Sequence, residues 1–194
     1  MSESVYATKM SGWKAWQRDY RLGLILILPP EEIAVRIDRL REEHDPISVA
    51  TSPAHISLSD PLSREMTPEL RDEILGILTQ IPPFELHFGK PIASSRYAGV
   101  SHPVGPQEAI DTLKAALHVS SAFHGRPYKR RSIPAHMTIA EFLSIDDGLR
   151  LCDQLQATAP GGSFVCEKLS FLVPDEQFVF RLVDEFALGP RPTA

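Results

Sequence analysis

The chain has 194 residues, 43% hydrophobic and 23% charged, with a formal net charge of −5 at pH 7. This is the composition of a soluble globular protein of one domain, or of two small lobes sharing a core, and it lacks the large basic surface that long duplex nucleic acid requires. The longest apolar run, Leu22 to Pro30, is far shorter than the ~20 residues that span a bilayer, and the N-terminus lacks the charged-then-apolar layout of a secretory signal, so a cytoplasmic protein without a membrane partner is expected.

Residues 1–19 are a polar arm carrying Trp13 and Trp16, whose spacing suits one side of a short helix packed on the body. Residues 20–28 read as a buried strand. Pro29-Pro30-Glu31-Glu32 opens a helix with Ile33, Ile37 and Leu40 on one stripe, and Asp45-Pro46 ends it. A strand over about 53–59 follows, stopped by Asp60-Pro61. Thr67 caps a second helix with Pro68 in its first position and Leu70, Ile74 and Leu78 inward. Strands are expected at about 84–92 and 96–104.

Gly105-Pro106 then opens a helix with Ile110, Leu113 and Leu117 on one side. The loop 120–133 is basic, with Arg126, Lys129, Arg130 and Arg131, and a strand over about 134–142 follows. Ser144 and Asp147 resemble a capping box before a helix with Leu149, Cys152 and Leu155 inward, ended by Gly161-Gly162. Segments 164–173 and 177–187 read as a hairpin around Pro174-Asp175. Cys152 and Cys166 fit neither a metal spacing nor a disulfide framework and read as reduced thiols. Interleaved strands and helices with a hairpin-rich end give an α+β class.

A short pattern occurs twice. Residues 54–58 are Ala-His-Ile-Ser-Leu and residues 135–139 are Ala-His-Met-Thr-Ile, each preceded by proline. Side chains alternate across a strand, so His55 and Ser57 share one face, and His136 and Thr138 do likewise. Ile56, Leu58, Met137 and Ile139 take the other. Each copy presents an imidazole and a hydroxyl about 6–7 Å apart along the strand. The copies lie 136 − 55 = 81 residues apart, close to half the chain, which points to a duplicated unit whose copies face each other. Two imidazoles across a cleft suit concerted acid–base chemistry near neutral pH, one taking a proton from water and the other giving one to a leaving oxygen. The two hydroxyls can donate to an anionic group between them, as phosphodiester chemistry without a metal requires.

On these residues the chain resembles the two-histidine phosphoesterases, which include 2′-5′ RNA ligase-like proteins and cyclic phosphodiesterases. The paired His-x-Ser/Thr-apolar signature is met by His55-Ile56-Ser57-Leu58 and His136-Met137-Thr138-Ile139, and the likeness covers about residues 20–187. It implies a bilobal, duplicated fold: two antiparallel-rich sheets lining a central cleft, helices outside, and lobes over roughly 20–95 and 96–190 that could exchange strands. It also implies metal- and cofactor-independent opening of 2′,3′-cyclic phosphates on small nucleotides or RNA ends, by a monomer. His55 and His136 would be acid and base in either order, with Ser57 and Thr138 holding the phosphate. A slow or non-catalytic nucleotide-binding module with the same cleft is the alternative.

One departure stands out. Ligase-like members often carry an arginine shortly after the second motif, where this chain has Glu141. Arg130 or Arg131 is the candidate replacement for that charge; otherwise segment 126–131 is a solvated loop. Tyr128 and Phe142 are candidates to stack on a base, as is Tyr97, against a plain packing role. His44, His87, His102, His118 and His124 do not recur in the pattern and read as structural or surface residues. A zinc site from His118 and His124 lacks further ligands, so no metal is expected.

Overall fold

The computed structural model describes residues 5–94, 99–124 and 129–190, with only the backbone of Arg130. β1 (Leu24–Ile27) is a run of leucine and isoleucine buried on both faces. α1 (Glu31–His44) buries Ile33 and Ile37 and places Glu31 and Glu32 against its N-terminal dipole. Asp45-Pro46 ends α1 as expected, but it also starts α2 (Pro46–Thr51), a short helix not foreseen. The Asp45 carboxylate accepts from the Ser48 amide and Pro46 takes the first turn, so one dipeptide serves both helices.

β2 (Ile56–Ser57) is shorter than the expected strand. α3 (Pro68–Leu78) has its Thr67 cap accepting from the Leu70 amide. The expected strand 84–92 divides at Gly89-Lys90-Pro91 into β3 (Phe84–Phe88) and β4 (Ile92–Ser94). β5 (Gly99–Gly105), α4 (Gln107–Leu117) and β6 (His136–Ala140) follow.

α5 (Ile145–Leu155) carries a correction. Its buried stripe is Gly148, Leu151, Cys152 and Leu155, whereas Leu149 points outward. The i, i+3, i+4, i+7 set wins over a strict three-residue spacing, which drifts around the helix. The expected strand 164–173 is also two: β7 (Gly162–Cys166) and β8 (Lys168–Pro174), parted at Glu167. β8 forms the expected hairpin with β9 (Phe180–Ala187), while β7 leaves to pair with β3.

Among the described residues nine strands run β7-β3-β5-β6-β2-β1-β8-β9, with β4 beside β5, and the described pairs are all antiparallel. β3 and β7 join the rest through the far end of β5. β3, from the first half of the chain, thus pairs with second-half strands, and β8 returns to β1. Helices α1, α3 and α4 bury their stripes in one core with Ile25, Ile27, Ile56, Leu58, Met137 and Phe171. The opposite face of β1 and β8 carries Leu24, Leu26 and Leu172 under Tyr20 and Phe180, covered by the arm's 3₁₀ turn, Ala15–Tyr20. The two tryptophans diverge there. Trp13 is buried, edge-on to Phe178 at 5.1 Å, and its Nε1 donates to the Glu176 carbonyl, whereas Trp16 is half-exposed. Among the described residues no helix is long and apolar enough to cross a membrane.

Both cysteines are buried and free, and burial pushes the Cys166 thiol up to about 12. His102, on β5, is wholly buried and stands edge-on to Phe88. Its Nδ1 donates to the Gly89 carbonyl at 2.8 Å, and its Nε2 has no hydrogen-bond partner among the described residues. Desolvation holds His102 below its ordinary value of 6.5; the Gly89 bond opposes this and the Lys90 charge adds to it. The unfolded chain therefore binds a proton more readily than the native one. The contribution of His102 to stability is present above its ordinary value of 6.5 and is lost as the pH drops below that value. The melting temperature, followed by calorimetry from about pH 7.5 to 5.5, is expected to decline, and His102→Leu to flatten that decline.

Candidate active site

The two motif strands are immediate neighbours. β2 and β6 run antiparallel with Ile56 opposite Met137, and both of these side chains are fully buried. Continuing that register by one residue sets His55 opposite Thr138 and Ser57 opposite His136. All four are half-buried, on the face away from the core. Facing cross-strand residues lie about 4.5–5.5 Å apart and diagonal ones about 7–8 Å, which puts the two histidines within reach of one small group. A local twofold axis passes between Ile56 and Met137 and relates the motifs.

The imidazoles are held in the same way. His55 Nδ1 donates to the Pro53 carbonyl at 2.8 Å, and His136 Nδ1 donates to the Pro134 carbonyl at 2.8 Å. A carbonyl only accepts, so the proton in each contact is on Nδ1. Each neutral ring therefore carries its basic lone pair on Nε2, the nitrogen remote from the backbone. Proline at both positions leaves the carbonyl in place and supplies no competing amide.

Beside β6 the face opens into a cleft of about 280 Å³, whose wall includes His136, Thr138, Ser101, Val100, Ile133 and Glu141. Ser101 lies directly opposite Thr138 on β5, and Pro103 opposite His136. Ser101 was not foreseen. Its place depends on the β5–β6 register, which is past a bulge and has no signature in the sequence. On the other side of the motifs, β1 sets Leu26 opposite Ser57, so the face turns apolar there.

The remaining candidates lie around this centre. Arg131 is exposed in the 3₁₀ turn Lys129–Ser132 that leads into β6. Of Arg130 only the backbone is described, and Tyr128 and Tyr97 lie outside the described residues. Phe142 is 87% exposed, with a left-handed backbone at φ 58°, just beyond β6. Among the described residues, His55, Ser57, Arg131 and Phe142 are not part of the cleft wall. Glu141 is, and its amide donates to the Asp45 carboxylate at 3.0 Å. His118 serves structure: its Nδ1 donates to the Lys114 carbonyl and its Nε2 accepts from the Asp60 amide. The Asp60 carboxylate in turn accepts from the Lys129 amide at 2.8 Å, tying the exit of the first motif to the entry of the second.

The fold is shared with solved structures. The chain superposes on LigT of E. coli complexed with 3′-AMP with a TM-score of 0.56 at 18% identity, covering 85% of this chain and 96% of that one. LigT complexed with NADP+ gives 0.55 at 19% identity, covering 86% and 96%. A crystal structure described as a phosphoesterase gives 0.54 at 20%, covering 86% and 97%. At such identities the likeness speaks for the fold alone. No curated protein matches the sequence. The family model of the 2′-5′ RNA ligase superfamily matches residues 29–177, most of the chain and both motifs. By that match this chain belongs to the 2′-5′ RNA ligase superfamily, the two-histidine phosphoesterases.

Proposed function

We propose that the protein is a metal-independent phosphodiesterase that opens 2′,3′-cyclic phosphates of nucleotides or RNA ends. The observation that carries this is the matched pair of Nδ1-to-proline-carbonyl bonds, which leave two basic Nε2 atoms on one face of adjoining strands. One Nε2 takes a proton from water as the water oxygen attacks phosphorus. The imidazolium opposite gives its Nε2 proton to the departing ribose oxygen, and a phosphomonoester remains. Ser57 and Thr138 donate to the non-bridging oxygens, and Ser101 adds a third hydroxyl on the cleft side. The nucleotide ligand class agrees with LigT, which is crystallised with 3′-AMP and NADP+.

A screen of 2′,3′-cyclic mononucleotides and cyclic-phosphate-ended RNA oligomers in EDTA tests the reading. Turnover to a 2′- or 3′-phosphate, undiminished by chelator, is the expected result. Calorimetric binding without product selects a nucleotide-binding module instead, and turnover that needs an added metal overturns the mechanism.

A further inference from the structure

The two histidines are oriented by carbonyls, and something must in turn hold those carbonyls. Pro53 C=O and Ala54 N–H belong to one planar peptide unit, so fixing the amide fixes the acceptor of His55. The Ala54 amide donates to Asp38 Oδ2 at 3.3 Å, and Asp38 Oδ1 accepts from the buried Arg41 at 2.6 Å. The second half repeats the device with different residues. The Ala135 amide donates to Gln107 Oε1 at 2.9 Å, and Gln107 Nε2 donates to Asp111 Oδ1 at 2.7 Å. Buried Lys114 donates to the adjacent Ile133 carbonyl at 2.9 Å. Asp38 lies on α1 and Gln107 on α4, each a helix ahead of its motif strand, with the short α2 between α1 and β2.

We infer that Asp38 and Gln107 are equivalent positioning residues, each holding one histidine in its Nδ1–H form through the Pro-Ala peptide between them. The chain of contacts is the same in both halves: helix side-chain oxygen, amide, proline carbonyl, imidazole Nδ1. Hydrogen bonds in series polarise one another, so an acceptor on the amide makes the carbonyl a better partner for the ring. Neither Asp38 nor Gln107 is part of the cleft wall. The catalytic consequence rests on the two-histidine reading above; the structural one does not.

Two readouts separate those layers. In the free protein, long-range ¹H–¹⁵N spectra of the imidazoles report which nitrogen carries the proton. The wild type is expected to show Nδ1–H for both His55 and His136. Gln107→Leu, similar in size but with no acceptor, should move His136 toward a tautomer mixture and leave His55 unchanged. Asp38→Asn has one oxygen for two donors and should perturb His55 alone. In turnover, Gln107→Leu should lower kcat about 10- to 100-fold with KM within about twofold, as expected for misplacement rather than lost binding. Gln107→Glu combined with Asp111→Asn keeps the acceptor and reverses the flanking bond, and should recover most of that loss. The inference is overturned if the folded Gln107→Leu protein keeps the wild-type imidazole spectrum, or if its loss falls on KM alone. An inactive wild type with the expected spectra removes the proposed reaction and leaves the positioning intact.

Discussion

His55→Ala and His136→Ala are each expected to lower kcat by about 10²- to 10⁴-fold, the range a positioned acid or base contributes. Neither should cost much stability, because both rings are half-buried on the open face and sit on top of the core. The mechanism needs a proton taken and a proton given in one step, so either loss stalls it. The double variant should therefore be little worse than the worse single one, a non-additivity typical of groups that act together. Steady-state kinetics in EDTA on the best cyclic nucleotide, with melting curves for each variant, check this. A variant of either histidine that keeps a tenth of wild-type turnover while folded removes it from the chemistry. Strict additivity would separate the two groups into independent steps and contradict a shared transition state.

The motif strands were legible because their alternation has one solution. Ile56, Leu58, Met137 and Ile139 are fully buried, which forces His55, Ser57, His136 and Thr138 to the other face. The caps were equally readable, since Thr67 and Ser144 have side-chain oxygens that accept from the Leu70 and Asp147 amides. What stayed hidden is non-local. Ser101 belongs to the site through strand register, and Asp38 and Gln107 through side chains reaching back to an amide 16 and 28 residues away. The break at Glu167 was hidden for a related reason. Residues 164–173 are apolar enough to be one strand, and only the competing pairing partners, β3 for one part and β1 with β9 for the other, divide them. Asp45-Pro46 was half legible: it ends α1 as expected, and the same capping chemistry also starts α2.

The opposite pattern of effects is expected beneath the site. Ile56→Ala and Met137→Ala should each cost about 2–5 kcal/mol of stability, since both side chains are fully buried and the cavity left by truncation adds to the lost transfer energy. They face each other across β2 and β6, so the two cavities merge and the double variant should cost less than the sum. Ile56→Leu and Met137→Leu conserve volume and should cost less than about 1.5 kcal/mol. Urea titration of the four single variants and the double variant measures all of this. Should both alanine variants stay within about 1 kcal/mol of wild type, these residues are not the shared support of the motifs. The pairing then cannot hold two imidazoles at a fixed separation. β2 is only two residues long, so few ladder bonds hold it, and the apolar contact at the local axis is what remains to fix the geometry. Stability concentrated at Ile56 and Met137, with activity concentrated one residue away on either side, is the signature that a two-histidine site on a buried strand pair must show.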